Sequence, residues 1–466
     1  MKKVFILLLI LIGFSCKNEK LKNTKTIVQF SKYDILYDID YLKSSLENTH
    51  INLYAYTSKV AFEENYCKVK NEVKKDSFSI LEATTLFQKV VSKANNGHTR
   101  IPFPIPSYIS YAKSGGTLFP LEIAIENDKA IIRKNWSSNS NIKVGDELIG
   151  INGQSIQEIL NKIYPQISAE RIYFKHAQLE NLTLPRFYWL VFGEQKNFTV
   201  EIEYNNKKTN YKLTSIKVIE DFEMKRNDIL KHNMEFKSIS NAVAYIQPGD
   251  FGGDLKKYKQ FIGSTFTKIN SKSYKNLIID LRNHSGGDDA FGDYLVSYIA
   301  DKPFKWTSRF QLKTSKQLKE HTRKHRDTTQ AYWRSILKHK NGQVYDYDFN
   351  YYQPQSIKKR YKGEVYVLVN RQSYSQSTVT AAQIQDYGFG TIVGEETGEY
   401  PNLYASIYNY QLPKTGVSVD VSKGKINRVS GIDNNKGLIP DIIIKDHLLD
   451  EKDEILEKLL NLIINK

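Results

Sequence analysis

The sequence predicts an α/β protein with two further units ahead of its main core, on three observations. From about residue 240 onward apolar strands alternate with helical stretches, residues 33–94 repeat apolar positions at helical spacing, and residues 113–215 break into short strands separated by Asn and Gly turns. At 466 residues the chain is long enough for several units of ordinary size.

Taken in order, the start "MKKVFILLLILIGFSC" places two lysines before an apolar run from Phe5 to Phe14, then small Ser15 and Cys16. That is the layout of a secretory signal, and the run is too short to span a bilayer as a helix. A cysteine directly after the apolar run matches a bacterial lipobox. Residues 1–16 are therefore expected to be a lipoprotein signal peptide, with Cys16 lipidated after cleavage, and the polar residues 17–32 a tether. The expected location is periplasmic or outer-membrane-anchored in a bacterium. Cys67, the other cysteine, is left without a partner, so no disulfide framework is expected.

Residues 33–112 form the expected N-terminal helical domain. "YDILYDIDYLKSSLENTH" and "SILEATTLFQKVVSKA" carry apolar residues three and four apart, Ser79 is placed to cap the second, and the pattern stops at "NNGHTR". Residues 113–215 turn to strands: "LEIAIENDKAIIRK", then "VGDELIGINGQSIQEILNKI", then a hairpin "NFTVEIEYNNKKTNYKLT" turning at Asn205-Asn206. The middle element, a Gly-Asp turn, strand, Asn-Gly turn and helix, resembles a PDZ domain, whose relatives bind extended peptide ends by strand addition. Residues 216–466 hold "AVAYIQ", "NLIIDLR", "VYVLVN" and "TIVGEE" with helices between them, which implies a mainly parallel sheet with its active edge where strands hand over to helices.

The net charge of +16 comes from 67 Lys and Arg against 51 Asp and Glu. The lysines are spread widely and no basic-aromatic module is present, so a solvated surface is expected and not nucleic-acid binding. One denser stretch runs from Lys313 to Lys340. It reads as a basic flap or an exposed helix.

Three stretches could carry chemistry. In "NLIIDLRNHSGGDD" an apolar strand runs into a turn with Gly286 and Gly287, and glycine can leave amides pointing outward, as a developing oxyanion needs. A plain strand-to-helix turn would use the same residues. In "NRQSYSQSTVTAAQIQDYG" Ser373, Ser375 and Ser377 stand where a strand meets a helix, so each is a candidate cap or nucleophile. A serine hydroxyl needs a base, and His98 in "NNGHTR" follows a helix with a glycine beside it.

Together these stretches resemble the C-terminal processing (tail-specific) serine peptidases and their tricorn-like relatives. "LIIDLRNHSGG" looks like the family's strand and glycine turn, "VYVLVNRQSYSQSTVTAAQIQDYGFGTIVGEETG" its nucleophile strand, serine helix and Gly-Glu-x-Thr, and "GLIPDIII" its closing segment. The resemblance implies a crotonase-like (ClpP/crotonase type) peptidase core at 216–466, behind the helical domain and a PDZ-like β-rich domain. It puts the nucleophile on Ser375 and the oxyanion amides on Gly287, beside Gly286, and on Gln376. The processing branch has a lysine base where this chain has Tyr400, whereas the tricorn-like branch uses a histidine from an earlier domain, which implies His98. Its acidic third member aligns near Asn434 and Asp433, with Glu395 and Glu396 as further carboxylates.

The expectation is an exported serine endopeptidase acting on extended or unfolded polypeptides, needing neither metal nor organic cofactor. Two other readings use the same parts: an inactive peptide- or ligand-binding protein on this scaffold, and an esterase.

Overall fold

The computed structural model describes residues 29–446, 449–450 and 452–464, so Cys16 and the leader lie outside the described residues. Strand Asn276–Asp280 shows how the main core forms. Leu277 and Ile279 are buried toward one layer and Ile278 toward the other. A strand covered on both faces has no polar side to alternate with, which is why it reads as a continuous apolar run.

This strand is third in a six-stranded sheet ordered Met234–Ser238, Val243–Pro248, Asn276–Asp280, Glu364–Val369, Thr391–Gly394 and Ile442–Ile443. The first pair is antiparallel and the others are parallel. Helices Leu255–Lys272, Asp289–Val296 and Gln376–Tyr387 bury Ile262, Phe266, Leu295 and Ile384 against one face. Helix Glu454–Ile464 covers the other with Ile455 and Leu459. Because Asn276–Asp280 and Glu364–Val369 run parallel as neighbours, the glycine turn and the serine turn that follow them open side by side on the same edge.

The N-terminal helices Lys32–Thr49, Lys59–Glu72 and Ile80–Val91 begin on serine caps, Ser31, Ser58 and Ser79, with full capping boxes at the first and third. They do not close a core of their own. Ile35, Leu42, Phe62 and Phe87 share one apolar cluster with Phe310, Leu312, Leu403 and Val419. Those partners belong to a four-stranded antiparallel sheet ordered Val344–Asp346, Arg309–Lys313, Ser418–Asn427 and Leu403–Gln411, made by two excursions from the main core. Sequence order sets residues 33–112 apart from 216–466, but packing joins parts of both. The basic stretch forms helices Lys316–His325 and Ala331–Lys338, tied to the same cluster by Leu318 and Ile336 while Lys316, Arg323 and Lys324 stay exposed.

The middle segment is an antiparallel sheet whose main strands are Leu121–Glu126, Lys129–Asn135, Glu147–Ile151, Asn197–Tyr204 and Lys207–Thr214. Asn205 and Asn206 turn the last hairpin with φ of 48° and 61°, the left-handed pair that matches strand twist in a two-residue loop. Helix Ile156–Ile163 follows the Asn-Gly turn as the sequence implies. Two further helices, Ile172–Leu182 and Leu184–Phe192, stand between it and the fourth strand, where the sequence pattern suggested only strands. Among the described residues, no helix is long and apolar enough to cross a membrane.

Candidate active site

His98 is presented by a turn that several elements hold. Asn95 takes a left-handed φ of 49°, and the Asn96 amide donates to the Tyr404 carbonyl at 3.1 Å and to Glu170 Oε1 at 3.0 Å. Beyond the histidine, Arg100 exchanges backbone hydrogen bonds with Asp420 at 3.0 and 2.9 Å, registering the turn to strand Ser418–Asn427. Gly97 is required for space, since a Cβ there would lie 2.8 Å from the Phe174 ring.

The serine turn separates its three hydroxyls by role. Ser373 Oγ is buried, donates to the Leu281 carbonyl at 2.6 Å and accepts from the Asn370 amide at 3.1 Å. Ser377 Oγ, also buried, donates to the same carbonyl at 3.3 Å. Both hydroxyls lock the turn to the neighbouring strand. Ser375 is the residue before helix Gln376–Tyr387, yet its hydroxyl caps nothing. Its φ of 57° with ψ of −134° lies outside the regions a side chain prefers, a strain that costs roughly 1–3 kcal/mol and turns the hydroxyl out of the helix start. There Ser375 Oγ lies 3.1 Å from His98 Nε2.

On the other side of the ring, Glu399 Oε1 lies 2.9 Å from His98 Nδ1. Both atoms are otherwise buried without a partner, and the contact is strongest when the ring is protonated. Burial is the largest single influence and pushes the imidazole down, but the Glu399 carboxylate and the charge of Glu170 together outweigh it and hold His98 above its ordinary value. The second Glu399 oxygen accepts the Ser375 amide at 2.5 Å.

The glycine turn completes the cleft. A Cβ on Gly286 would sit 2.5 Å from the Gln376 amide and 2.8 Å from Ser375 Cβ, so its missing side chain keeps the space beside that amide open. Gly287, with φ of 139°, passes so close to the Phe251 carbonyl that a Cβ would lie 1.9 Å from its oxygen. Among the described residues, neither the Gly287 nor the Gln376 amide meets a hydrogen-bond acceptor. His284 sets the turn by accepting the Gly286 amide at Nδ1, 3.0 Å, while its Nε2 side faces the Gly249 carbonyl at 2.7 Å. Burial holds this imidazole below its ordinary value, in the neutral form that can do both.

The third position differs from the sequence expectation. Asp433 and Asn434 are exposed, and Asn434 accepts the Lys436 amide at 3.2 Å; the carboxylate at the imidazole is that of Glu399. Glu396 instead pairs with Arg171 at 2.7 Å and accepts the Gly437 amide at 2.8 Å. Burial raises Glu395 to about 7, offset in part by Arg371. Tyr400, where the processing branch has its lysine, lies under the Arg171 guanidinium and tilted against the Tyr56 ring. Sequence reasoning passed over Glu399, Glu170 and His284. The one signal for Glu399 was its place in "GEETGEY", immediately before the position inspected for a lysine.

His98, Glu399, Ser375, Gly286 and Gly287 line one cleft of about 530 Å³. Ile101, Phe103, Ile167, Leu182, Phe187 and Leu190 give its wall an apolar part, beside the polar Gln88, Gln166, Gln178 and Asn181. A hydroxyl beside an imidazole, a carboxylate behind the imidazole and unspent amides in front of the hydroxyl are the parts that acyl transfer requires. Among the described residues, no group of three or more His, Cys, Asp or Glu side chains is placed to hold a metal ion.

Residues 242–444 match the model of peptidase family S41. Among solved structures, mature CPAF superposes with a TM-score of 0.65 at 14% identity over 93% of this chain and 96% of that one. Mature CPAF complexed with lactacystin gives 0.64 at 14% identity over 93% and 97%. At that identity the likeness is one of fold, and it extends beyond the matched core to the helical and antiparallel units. The α/β core expected from strand-helix alternation, of the crotonase-like type that the resemblance implies, is the one found. The matched residues include Gly286, Gly287, Ser375 and Glu399, and residues 242–444 are those of a serine peptidase core of the S41 type.

Proposed function

We propose that the chain is an endopeptidase that cleaves extended polypeptides through Ser375, His98 and Glu399. The observation that carries this reading is the 3.1 Å approach of Ser375 Oγ to His98 Nε2 by a serine whose hydroxyl has no capping role. His98 Nε2 takes the Ser375 proton as Oγ bonds to the peptide carbonyl carbon. The Glu399 charge at Nδ1 favours the tautomer that leaves Nε2 free and then balances the imidazolium. The amides of Gly287 and Gln376 receive the oxyanion. The carbon–nitrogen bond breaks as Nε2 returns its proton to the leaving amine, and a water, activated by the same ring, releases the acyl group from Ser375.

The apolar part of the wall favours an apolar side chain beside the scissile bond, because leaving such surface wet costs about 25 cal/mol per Å². Phe187 and Leu190 in that wall belong to the β-rich segment 113–215, which supports a substrate-handling role for this PDZ-like unit. The leader supports export and lipidation at Cys16. Cys16→Ser should release the protein from membranes; unchanged membrane association would refute the anchor.

The functional test compares turnover of an unfolded polypeptide and of a simple ester by wild type and Ser375→Ala. Cleavage of the polypeptide, lost in the variant, supports the endopeptidase reading. Ester turnover alone favours the esterase, and turnover of neither favours a binding protein.

A further inference from the structure

Glu170 approaches the site from the segment before helix Ile172–Leu182, 73 residues from the turn it meets. Its Oε1 accepts the Gly97 amide at 2.8 Å and the Asn96 side chain at 3.0 Å, so it grips the two residues immediately before His98. Its Oε2 is buried without a hydrogen-bond partner, although the residue as a whole is partly exposed. A Cβ on Gly97 would stand 3.3 Å from that oxygen, so the absent side chain lets the carboxyl lie against the turn.

We propose that Glu170 is a positioning residue for His98 whose carboxyl also sets the proton affinity of that ring, an inference that rests on the Ser375, His98 and Glu399 reading. A buried carboxylate oxygen with no donor is costly, whereas a neutral acid can place its proton there. Burial and then the negative charge of Glu399 raise the Glu170 acid above the usual carboxylate range, while the Gly97 amide and His98 act the other way. The two carboxyls thus share one imidazole. When Glu170 is neutral, Glu399 alone balances the ring; when it ionises, a second negative charge increases the ring's hold on its proton.

The other groups that face this cluster are Arg100 on the histidine turn, which lowers the ring's proton affinity, Tyr56 after the first helix, Tyr400 and Tyr404 beyond Glu399, and Asp433 on the exposed loop. Arg171, adjacent in sequence, is committed to Glu396 and to the carbonyls of Thr397 and Gly398. Glu170 is therefore the carboxyl besides Glu399 whose charge acts directly on His98.

Glu170→Gln keeps an oxygen for the Gly97 amide and removes the charge; Glu170→Ala removes both. The test follows the His98 ring by NMR in the full chain labelled at histidine Cε1, the signal being assigned by its loss in His98→Gln, alongside kcat/KM against pH. In Glu170→Gln the ring should titrate at lower pH than in wild type, and the acid limb of kcat/KM should move the same way. Glu170→Ala should lose more kcat than Glu170→Gln, with KM changing less than kcat. A Glu170→Gln titration superimposed on that of wild type overturns the proposal, and this variant carries the test alone if Glu170→Ala does not fold. The ring titration is read whether or not the protein cleaves a peptide. Activity surviving in Ser375→Ala would instead remove the triad reading, so the two failures are distinguishable.

Discussion

Glu399 holds the Ser375 backbone and the His98 ring with one carboxylate, accepting the Ser375 amide at 2.5 Å on one oxygen while the other lies 2.9 Å from His98 Nδ1. The residue beside the imidazole thus also fixes the turn that carries the Ser375 hydroxyl. A carboxylate in this double role couples the position of the hydroxyl to that of the imidazole, which otherwise come from segments 277 residues apart.

Glu399→Gln should therefore cost more than an ordinary buried pair. Loss of the charge behind the imidazole is expected to lower kcat on the order of 10³–10⁴-fold. Steady-state kinetics on a fluorogenic peptide checks this, and a loss of less than tenfold would show that the carboxylate is not behind the base.

The pH profile follows from the same contact. Burial opposes protonation of His98, but Glu399, with Glu170 behind it, holds the ring above its ordinary value. In the proposed mechanism the neutral ring is the working base, so activity is expected above that raised pKa and should fall as pH drops through it. The acid limb of kcat/KM should lie above the ordinary imidazole range in wild type and move to lower pH in Glu399→Gln.

Ser373→Ala leaves the Asn370 amide and the Leu281 carbonyl each short of a buried partner. That should destabilise the protein by about 1–3 kcal/mol while activity survives at temperatures where it stays folded. Ser377→Ala should cost less, since its hydroxyl makes one longer bond, 3.3 Å, to a carbonyl that Ser373 also serves. Thermal melts and initial rates separate the two effects.

At the glycine turn, Gly287→Ala forces a Cβ toward the Phe251 carbonyl and out of a φ of 139° that glycine tolerates. The turn must shift, taking its free amide with it, and kcat should fall on the order of 10²–10³-fold, the cost of one oxyanion donor. Gly286→Ala should do the same by filling the space beside the Gln376 amide. Near-normal kcat in both would place the oxyanion elsewhere.

Much of this site was legible in sequence because its signals are local. The apolar runs Leu277 to Leu281 and Val365 to Val369 mark strands, and the glycine and serine turns follow each directly. His98 stood out as a turn residue after a capped helix. Glu399 did not, because its loop has no periodicity to say which side chain faces inward, and the neighbouring position drew the comparison with a lysine. Glu170 acts across long sequence separation from a segment whose helices were not expected. Ile172–Leu182 and Leu184–Phe192 are buried around much of their circumference, so they lack the polar face that marks a helix. The shared core of the N-terminal helices with strands Leu403–Gln411 and Ser418–Asn427 is likewise a long-range packing that no local pattern encodes.

Ser375, activated by His98, is the proposed nucleophile. Labelling the purified full chain with a fluorophosphonate and locating the adduct by mass spectrometry tests it most directly, since the probe reports a hydroxyl that attacks and does not depend on knowing the substrate. A single adduct is expected on Ser375, unchanged in Ser377→Ala, absent in Ser375→Ala, and slowed by a factor on the order of 10³ in His98→Ala. An adduct on Ser373, Ser377 or a serine outside the turn, or labelling at the wild-type rate in His98→Ala, would contradict that assignment.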